Sequence, residues 1–281
     1  MALTILELVK VLPMTNCGDC GYATCMAFAS HVVKKKESLS LCPHLPLGIF
    51  EELNREIEAQ HAKNLHVAPD RFKTAKEFVT GKIKDADFAQ LAPYLGGKYV
   101  KKNGEDFLIL KYLGRNFLIS KKEAKAQVTT EEQDVWDTIL LYNYIASNCR
   151  KTPTGKWVSI DVLPGSIPKK PELEETCEKR IAQAFKGDPN GLKKAVRALG
   201  GTQAKVETSA DVKAVLHPLP KTPFLLLFWD EEPEEGFEAR VKVLFDETIL
   251  CFLDIESAVF LAEKMAHRLI EIKEKGPGEE G

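Results

Sequence analysis

Hydrophobic and polar positions divide the chain into stretches of different period. Residues 3–12, around "ILELVKV", place apolar side chains at helical spacing and stop at Pro13, so they predict a short amphipathic helix. A second helix is expected over 24–36, "TCMAFASHVVKKK". Thr24 would cap it, Met26, Ala29 and Val33 would form its apolar face, and Lys34–Lys36 would suit its C-terminal end. "GIFEELNREIEAQHAKN" (48–64) is polar around most of its circumference and reads as a connecting helix. Residues 71–83 and 85–97 suggest two more helices.

From Lys98 the period shortens to two. "KYVKKNGEDFLILKYLGRNFLIS" (98–120) alternates into three short strands, with turns at Asn103-Gly104 and Gly114-Arg115. A helix follows over 129–148, with Thr129 or Thr130 as cap and Val135, Ile139, Tyr142 and Ile145 on one face. "KWVSIDVL" (156–163) alternates like a strand. Helices are expected over 171–186 and 190–199, separated at Gly187-Asp188-Pro189 and ended by Gly200-Gly201. The unbroken apolar run "TPFLLLFWD" (222–230) predicts a fully buried strand, and "ARVKVLFD" (239–246) a neighbour joined to it by the acidic link "EEPEEGF". Residues 254–275 form the closing helix.

Strands in runs, with helices before and after them, give an α+β fold with mainly antiparallel strands. The expected organisation is a small helical module over 1–50, a helical linker over 51–67, an α+β domain over 68–275 and a disordered tail over 276–281.

Charge changes the picture only by exclusion. The formal net charge is −2, so no global basic field favours nucleic acid. "FLLLFW" (224–229) is far shorter than the ~18 apolar residues of a membrane span. Glu7 precedes the first lysine and no small-residue cleavage site follows, so the N-terminus reads as a helix of a cytoplasmic protein and not as a signal peptide.

Cysteine usage is more informative. Four of the seven cysteines fall within 26 residues, as Cys17, Cys20, Cys25 and Cys42 in the spacing C-x2-C-x4-C-x16-C-P. Three close thiolates and a fourth from a distance match the four soft anionic ligands of a 4Fe–4S cluster. Gly18 and Gly21 let the loop approach inorganic sulfide, Cys25 falls in the first turn of a helix, and Pro43 stiffens the return. A four-cysteine zinc site usually shows two C-x2-C pairs, and a redox C-x-x-C sits in a βαβ context; both remain open as alternatives. Cys149, Cys177 and Cys251 are scattered singly and read as ordinary buried thiols in a reducing compartment.

"LPMTNCGDCGYATCMAFASHVV…CP" resembles the N-terminal iron–sulfur domain of the large subunit of corrinoid iron–sulfur proteins. It is similar to the same module in the gamma subunit of acetyl-CoA decarbonylase/synthase and the B subunit of Rnf complexes. The resemblance covers about the first 50 residues. It implies one low-potential 4Fe–4S cluster held by Cys17, Cys20, Cys25 and Cys42, with a corrinoid protein or a ferredoxin-type donor as redox partner. The corrinoid proteins continue into a TIM barrel and a cobalamin domain, and neither is visible here. The remainder, through "LLYNYIASN…TPTGKWVSIDVLPGS", "ALGG" and "PFLLLFWDEEPEEGFEARVKVLFDETI", resembles a domain family of unknown function found in anaerobes fused to this module.

Outside the cysteines, Trp157, Asp161, Trp229, Asp230 and Arg240 are candidates for a pocket near strand ends, with Glu231, Glu232 and Asp246 beside them. The alternative places the tryptophans in the core and leaves the carboxylates as a solvated hairpin tip, which could dock a basic electron-transfer partner. His31 and His44 flank the cysteine loop and could tune it by hydrogen bonding. No glycine-rich phosphate loop, nucleophile elbow or H-E-x-x-H is present.

Three functions are therefore in play: low-potential one-electron transfer in anaerobic, corrinoid or one-carbon metabolism; a cluster-dependent enzyme with a substrate pocket in the larger domain; and an accessory or maturation factor for a metalloenzyme.

Overall fold

Apolar spacing in the first 45 residues closes a small core of its own. The computed structural model describes residues 5–45 except 16, 18, 23 and 36, then 53 and 55, 80–127 and 135–275. In it the chain divides into two units, Met1–Ala75 and Lys76–Gly281. The expected tail over 276–281 lies outside the described residues, as do nearly all of the linker over 51–67 and of the helix over 48–64, residues 71–79 of the helix over 71–83, and residues 129–134 of the helix over 129–148.

In the first unit, α1 (Ile5–Val11) packs on α2 (Cys25–Lys35). Leu8, Val9 and Leu12 meet Cys25, Phe28, Ala29 and Val32, and Leu39, Leu45 and Leu53 complete the cluster. The buried face of α2 is thus 25, 28, 29, 32, a helical i, i+3, i+4, i+7 stripe. This corrects the expected face: Met26 is 45% exposed and Val33 only half-buried. The reason is phase, since Cys25 and Phe28 set the stripe one residue earlier. A short 3-10 turn, Leu39–Leu41, brings the chain back to Cys42, whose N–H donates to Leu39 O at 3.1 Å.

The second unit contains two antiparallel sheets and the helices around them, an α+β fold. α3 (Phe88–Leu95) starts at Asp87, whose carboxylate accepts the N–H of Gln90, and ends at Gly96 in the left-handed region at φ 69°. The first sheet runs β1 (Lys98–Lys102), β2 (Glu105–Tyr112), β3 (Arg115–Ile119) and β4 (Ala124–Ala126) in sequence order. Leu108, Leu110 and Tyr112 alternate inward on β2, as period-two spacing requires.

α4 (Val135–Ala146) follows, and more of it is buried than one stripe. Leu140, Leu141, Tyr142, Tyr144 and Ile145 all have little or no exposure. Tyr142 Oη donates to Ser120 O at 3.0 Å and Tyr144 Oη to Leu95 O at 2.9 Å, so both buried hydroxyls are satisfied.

The five-stranded sheet has the order β5-β9-β8-β7-β6, from β5 (Trp157–Val158), β6 (Thr202–Gln203), β7 (Val212–Leu219), β8 (Thr222–Trp229) and β9 (Arg240–Asp246). β8 is central and buried on both faces, as its unbroken apolar run demands. Three strands of this sheet differ from expectation, the two-residue β6 among them, which lies where none is expected. The strand expected over 156–163 is only Trp157–Val158, because Ile160–Val162 turns into a 3-10 helix and Ile160 enters the core. β7, which carries Pro218, also lies where no strand is expected. Pro218 sits where the β7–β8 register shifts, and its carbonyl accepts the N–H of Leu113 at 2.9 Å, joining the two sheets.

Helices cover the inner face. α5 (Lys170–Leu173) continues through a π-helical turn, Glu174–Glu178, into α6 (Lys179–Phe185). α7 (Pro189–Ala198) is capped by Asp188, whose side chain accepts the Gly191 N–H at 2.8 Å. α8 (Ile249–Phe252) is a single turn before α9 (Ile255–Lys275). Phe224, Leu226 and Phe228 face the inner core with Val243 and Phe245, all with no exposure, and each contributes roughly 1.5–3 kcal/mol by burial.

Candidate iron–sulfur site

Cys17, Cys20, Cys25 and Cys42 are all free of disulfides. Cys25 opens α2 and belongs to the small core; Cys20 and Cys42 pack partly buried against the same cluster. Cys17 is exposed. It gathers with Asp19 and His44, their ligand atoms lying within 4.8 Å of one another. His44 Nε2 and Asp19 Oδ2 are 2.6 Å apart, which ties the first cysteine loop to the return segment two residues beyond Cys42. The His44 hydrogen bond, then one from Cys17, hold the Asp19 carboxyl below its usual range.

The loop is braced from the other side by Tyr22. Its hydroxyl donates to Glu37 Oε2 at 2.9 Å, and its ring lies 4.6 Å from that of His31 and 5.6 Å from Phe28. His31 therefore makes a tilted ring contact with the loop, at 52° between the planes. Gly21 adopts φ +84° with open space where a Cβ would be, so backbone conformation and not crowding requires glycine there.

Four cysteines outside any disulfide, three against one apolar core and the fourth held beside the return segment, fit the donor set of an iron–sulfur cluster. The Asp19–His44 pair is only half legible in the sequence. His44 stands out beside Cys42, while Asp19 carries no signal until folding brings the two segments together.

The remaining candidates do not converge on one pocket. Trp229 and Arg240 do meet, as cross-strand partners with the guanidinium 4.3 Å above the ring, and Trp229 Nε1 donates to Ser209 Oγ at 3.0 Å. Asp230 accepts the N–H groups of Gly187 and Glu231 at 2.8 and 2.9 Å, bracing the base of the β8–β9 connection. Trp157 pairs with Asp246 at the far end of β9, about 20 Å from Arg240 at ~3.3 Å per residue. Asp161 is engaged by Lys170 at 2.8 Å and Ser159 Oγ at 2.7 Å, and the Lys170 bond, then the Ser159 bond, lower its pKa. Both tryptophans are half-buried beside the small cluster of Leu225, Leu227, Ala204 and Ala210 on the outer face of the sheet.

The scattered cysteines require a correction. Cys177 is a fully buried thiol, and burial pushes its pKa up. Cys149 and Cys251, expected as ordinary thiols, are joined in a disulfide with their Cα atoms 5.6 Å apart. A separation of 102 residues leaves no trace of this pairing in the local pattern.

Residues 87–268 match the family model described as "Domain of unknown function (DUF3786)". The chain belongs to this family. The match starts at the N-cap of α3 and ends within α9, so the DUF3786 domain takes in both sheets and the disulfide. Residues 12–44 match a second model, "Putative Fe-S cluster", which spans all four clustered cysteines; the chain thus carries an iron–sulfur domain ahead of the DUF3786 domain.

Over 276 residues the chain is 27% identical to the acetyl-CoA decarbonylase/synthase complex subunit gamma of Methanosarcina acetivorans, covering 97% of this chain and 50% of that protein. It is 51% identical over 54 residues to the corrinoid/iron-sulfur protein large subunit of Moorella thermoacetica, covering 19% and 12% of the two chains. It is 55% identical over 40 residues to the acetyl-CoA decarbonylase/synthase complex subunit gamma 2 of Methanosarcina thermophila, covering 14% and 8%. The chain thus spans half of the first relative and about a tenth of the other two. No solved structure matches. Among the described residues, no helix is long and apolar enough to cross a membrane.

Proposed function

We propose that Cys17, Cys20, Cys25 and Cys42 hold one 4Fe–4S cluster, and that the protein transfers single electrons at low potential in the cytoplasm of an anaerobe. The pathway is one-carbon metabolism, and the redox partner a corrinoid protein or a ferredoxin-type donor. The observation that carries this reading is the four-cysteine spacing inside the segment that matches the iron–sulfur family model, with none of the four consumed in a disulfide. The pathway and partner rest on the names of the relatives.

When bound, such a cluster supplies a one-electron couple. The chain's own residues set the conditions for it. Cys25 lies at the N-terminus of α2, where the helix dipole favours a net-anionic group. Phe28, Leu39 and Leu8 exclude water from the inner side, with no more than 1% exposure each. Exposed Cys17 offers a partner protein a short path to one ligand.

Anaerobic reconstitution tests the reading. About four irons per chain and a reducible, EPR-active centre are expected. Stoichiometric zinc without reducible iron overturns it.

A further inference from the structure

The Cys149–Cys251 disulfide joins two places that other contacts already bring close. Cys149 lies just beyond α4 and is 3% exposed; Cys251 lies in the single turn α8 and is half-buried. Tyr144 of α4 stacks on Phe252 of α8 with ring centroids 5.9 Å apart. The strap that leaves Cys149 is tied at its other end to the close of β9. Gly155 N donates to Asp246 Oδ2 at 2.7 Å, Thr154 Oγ1 to Glu247 Oε1 at 3.0 Å, and Glu247 N to Lys156 O at 2.9 Å. One covalent bond and one hydrogen-bonded anchor therefore hold both ends of residues 149–156.

α8 is otherwise held by its core anchors and by Thr248, whose N–H and hydroxyl both donate to Asp246 Oδ1 at 3.0 and 2.6 Å. It is four residues long, its cap Thr248 makes no side-chain capping bond to the helix, and its buried anchors are Ile249 and Phe252. Within one chain, Cys17, Cys20, Cys25, Cys42 and Cys177 form no disulfide, while Cys149 and Cys251 do. A disulfide exchanges with any dithiol that can reach it, so the state of this bond depends on ambient redox poise.

We propose that Cys149–Cys251 is a thiol–disulfide exchange site, a latch on α8 that a dithiol reductant opens and two-electron oxidation closes. Attack falls on the Sγ of half-exposed Cys251, and the Cys149 sulfur leaves. The second thiol of the reductant then attacks the mixed disulfide and releases Cys251. Two electrons and two protons pass from the dithiol to the protein: it becomes a disulfide, and Cys149 and Cys251 become thiols. Opening removes the covalent restraint on α8 and on the strap, while the Asp246 anchor remains. This proposal does not depend on the nature of the N-terminal metal centre.

The test uses anaerobically purified full-length protein and dithiothreitol. Alkylation with peptide mapping should leave Cys149 and Cys251 unmodified before reduction and modified after it. Reduction should lower the midpoint of thermal unfolding by about 10 °C, because the crosslink closes a long loop. It should also speed amide exchange over 147–156 and 248–253, and reoxidation should restore both readouts. Cys149→Ser and Cys251→Ser should each melt like the reduced protein and show no further shift with dithiothreitol. Alkylation of both cysteines before reduction overturns the disulfide. A bond that yields only in denaturant overturns the exchange site. A fully reduced protein with unchanged melting and exchange overturns the latch.

Discussion

Arg240 and Trp229 face each other across β9 and β8, with the guanidinium carbon 4.3 Å from the ring centroid. The pair covers one end of the outer sheet face, beside the small cluster of Leu225 and Leu227. Arg240 is exposed, so Arg240→Ala should cost only about 0.5–1 kcal/mol of stability. Tryptophan emission should shift to the red as the indole loses its cover. A loss above about 2 kcal/mol would mean that the arginine stem carries packing beyond this pair.

Glu178 makes a different kind of contact. Its carboxylate accepts the Val243 N–H at 2.9 Å on the stretch of β9 that β5 does not reach, and Lys242 Nζ lies 3.3 Å away. It satisfies a strand-edge donor at the cost of burying a charge. Burial raises its pKa, only partly offset by Val243 and Lys242. A raised carboxyl pKa contributes stability that is fully present below the ordinary glutamate value and is lost as pH rises through the folded value. Glu178→Gln keeps an acceptor for Val243 and removes the charge. It should flatten the stability profile above about pH 4.5, measured by urea unfolding. A variant as pH-dependent as the wild type over that range would refute this.

Asp246 and Glu271 act in the opposite sense. Burial favours the neutral form of Asp246, but Thr248 and the N–H of Gly155 outweigh it and lower the pKa. Burial also opposes the Glu271 charge, yet Lys275 and Arg268 bring its pKa to about 2. Both contribute stability present above the ordinary carboxylate range and lost as pH falls. Acid unfolding should steepen between about pH 4 and about pH 2, and Glu271→Gln should remove part of that slope. Asp246→Asn should cost about 1–3 kcal/mol at neutral pH, because buried donors lose a charged acceptor.

Cysteine substitutions should separate the N-terminal ligands from the thiols of the larger domain. Cys25→Ser, at the start of α2, should abolish stable iron loading, with iron per chain falling several-fold. Cys177→Ser places a hydroxyl in the core and should cost about 1–3 kcal/mol, with iron content unchanged. Iron retained in Cys25→Ser, or lost in Cys177→Ser, contradicts the proposed ligand set.

Much of the architecture is readable from local pattern. The Asn103-Gly104 turn separates β1 from β2 as expected, while the second turn falls on Leu113-Gly114, one residue before the expected Gly114-Arg115, because Arg115 already pairs in β3. The apolar run at 224–229 predicts a strand covered on both faces, and the fold covers it on both. β7 is hidden because Pro218 and Pro220 carry loop chemistry, and a register shift at Pro218 absorbs it. The face of α2 is displaced by one residue from its expected position because Met26 is hydrophobic yet points to solvent, which helical period alone does not reveal.

The sequence alone determined the spacing of Cys17, Cys20, Cys25 and Cys42 and the α+β character of the larger domain. Both are local properties, set by donor chemistry and by the period of apolar residues. Tertiary structure decided which distant residues meet. Asp19 reaches His44, Glu178 satisfies the open edge of β9, and Cys149 bonds to Cys251 across 102 residues. Each of these contacts depends on how elements pack, and packing is a property of the whole domain, which no window of the chain contains.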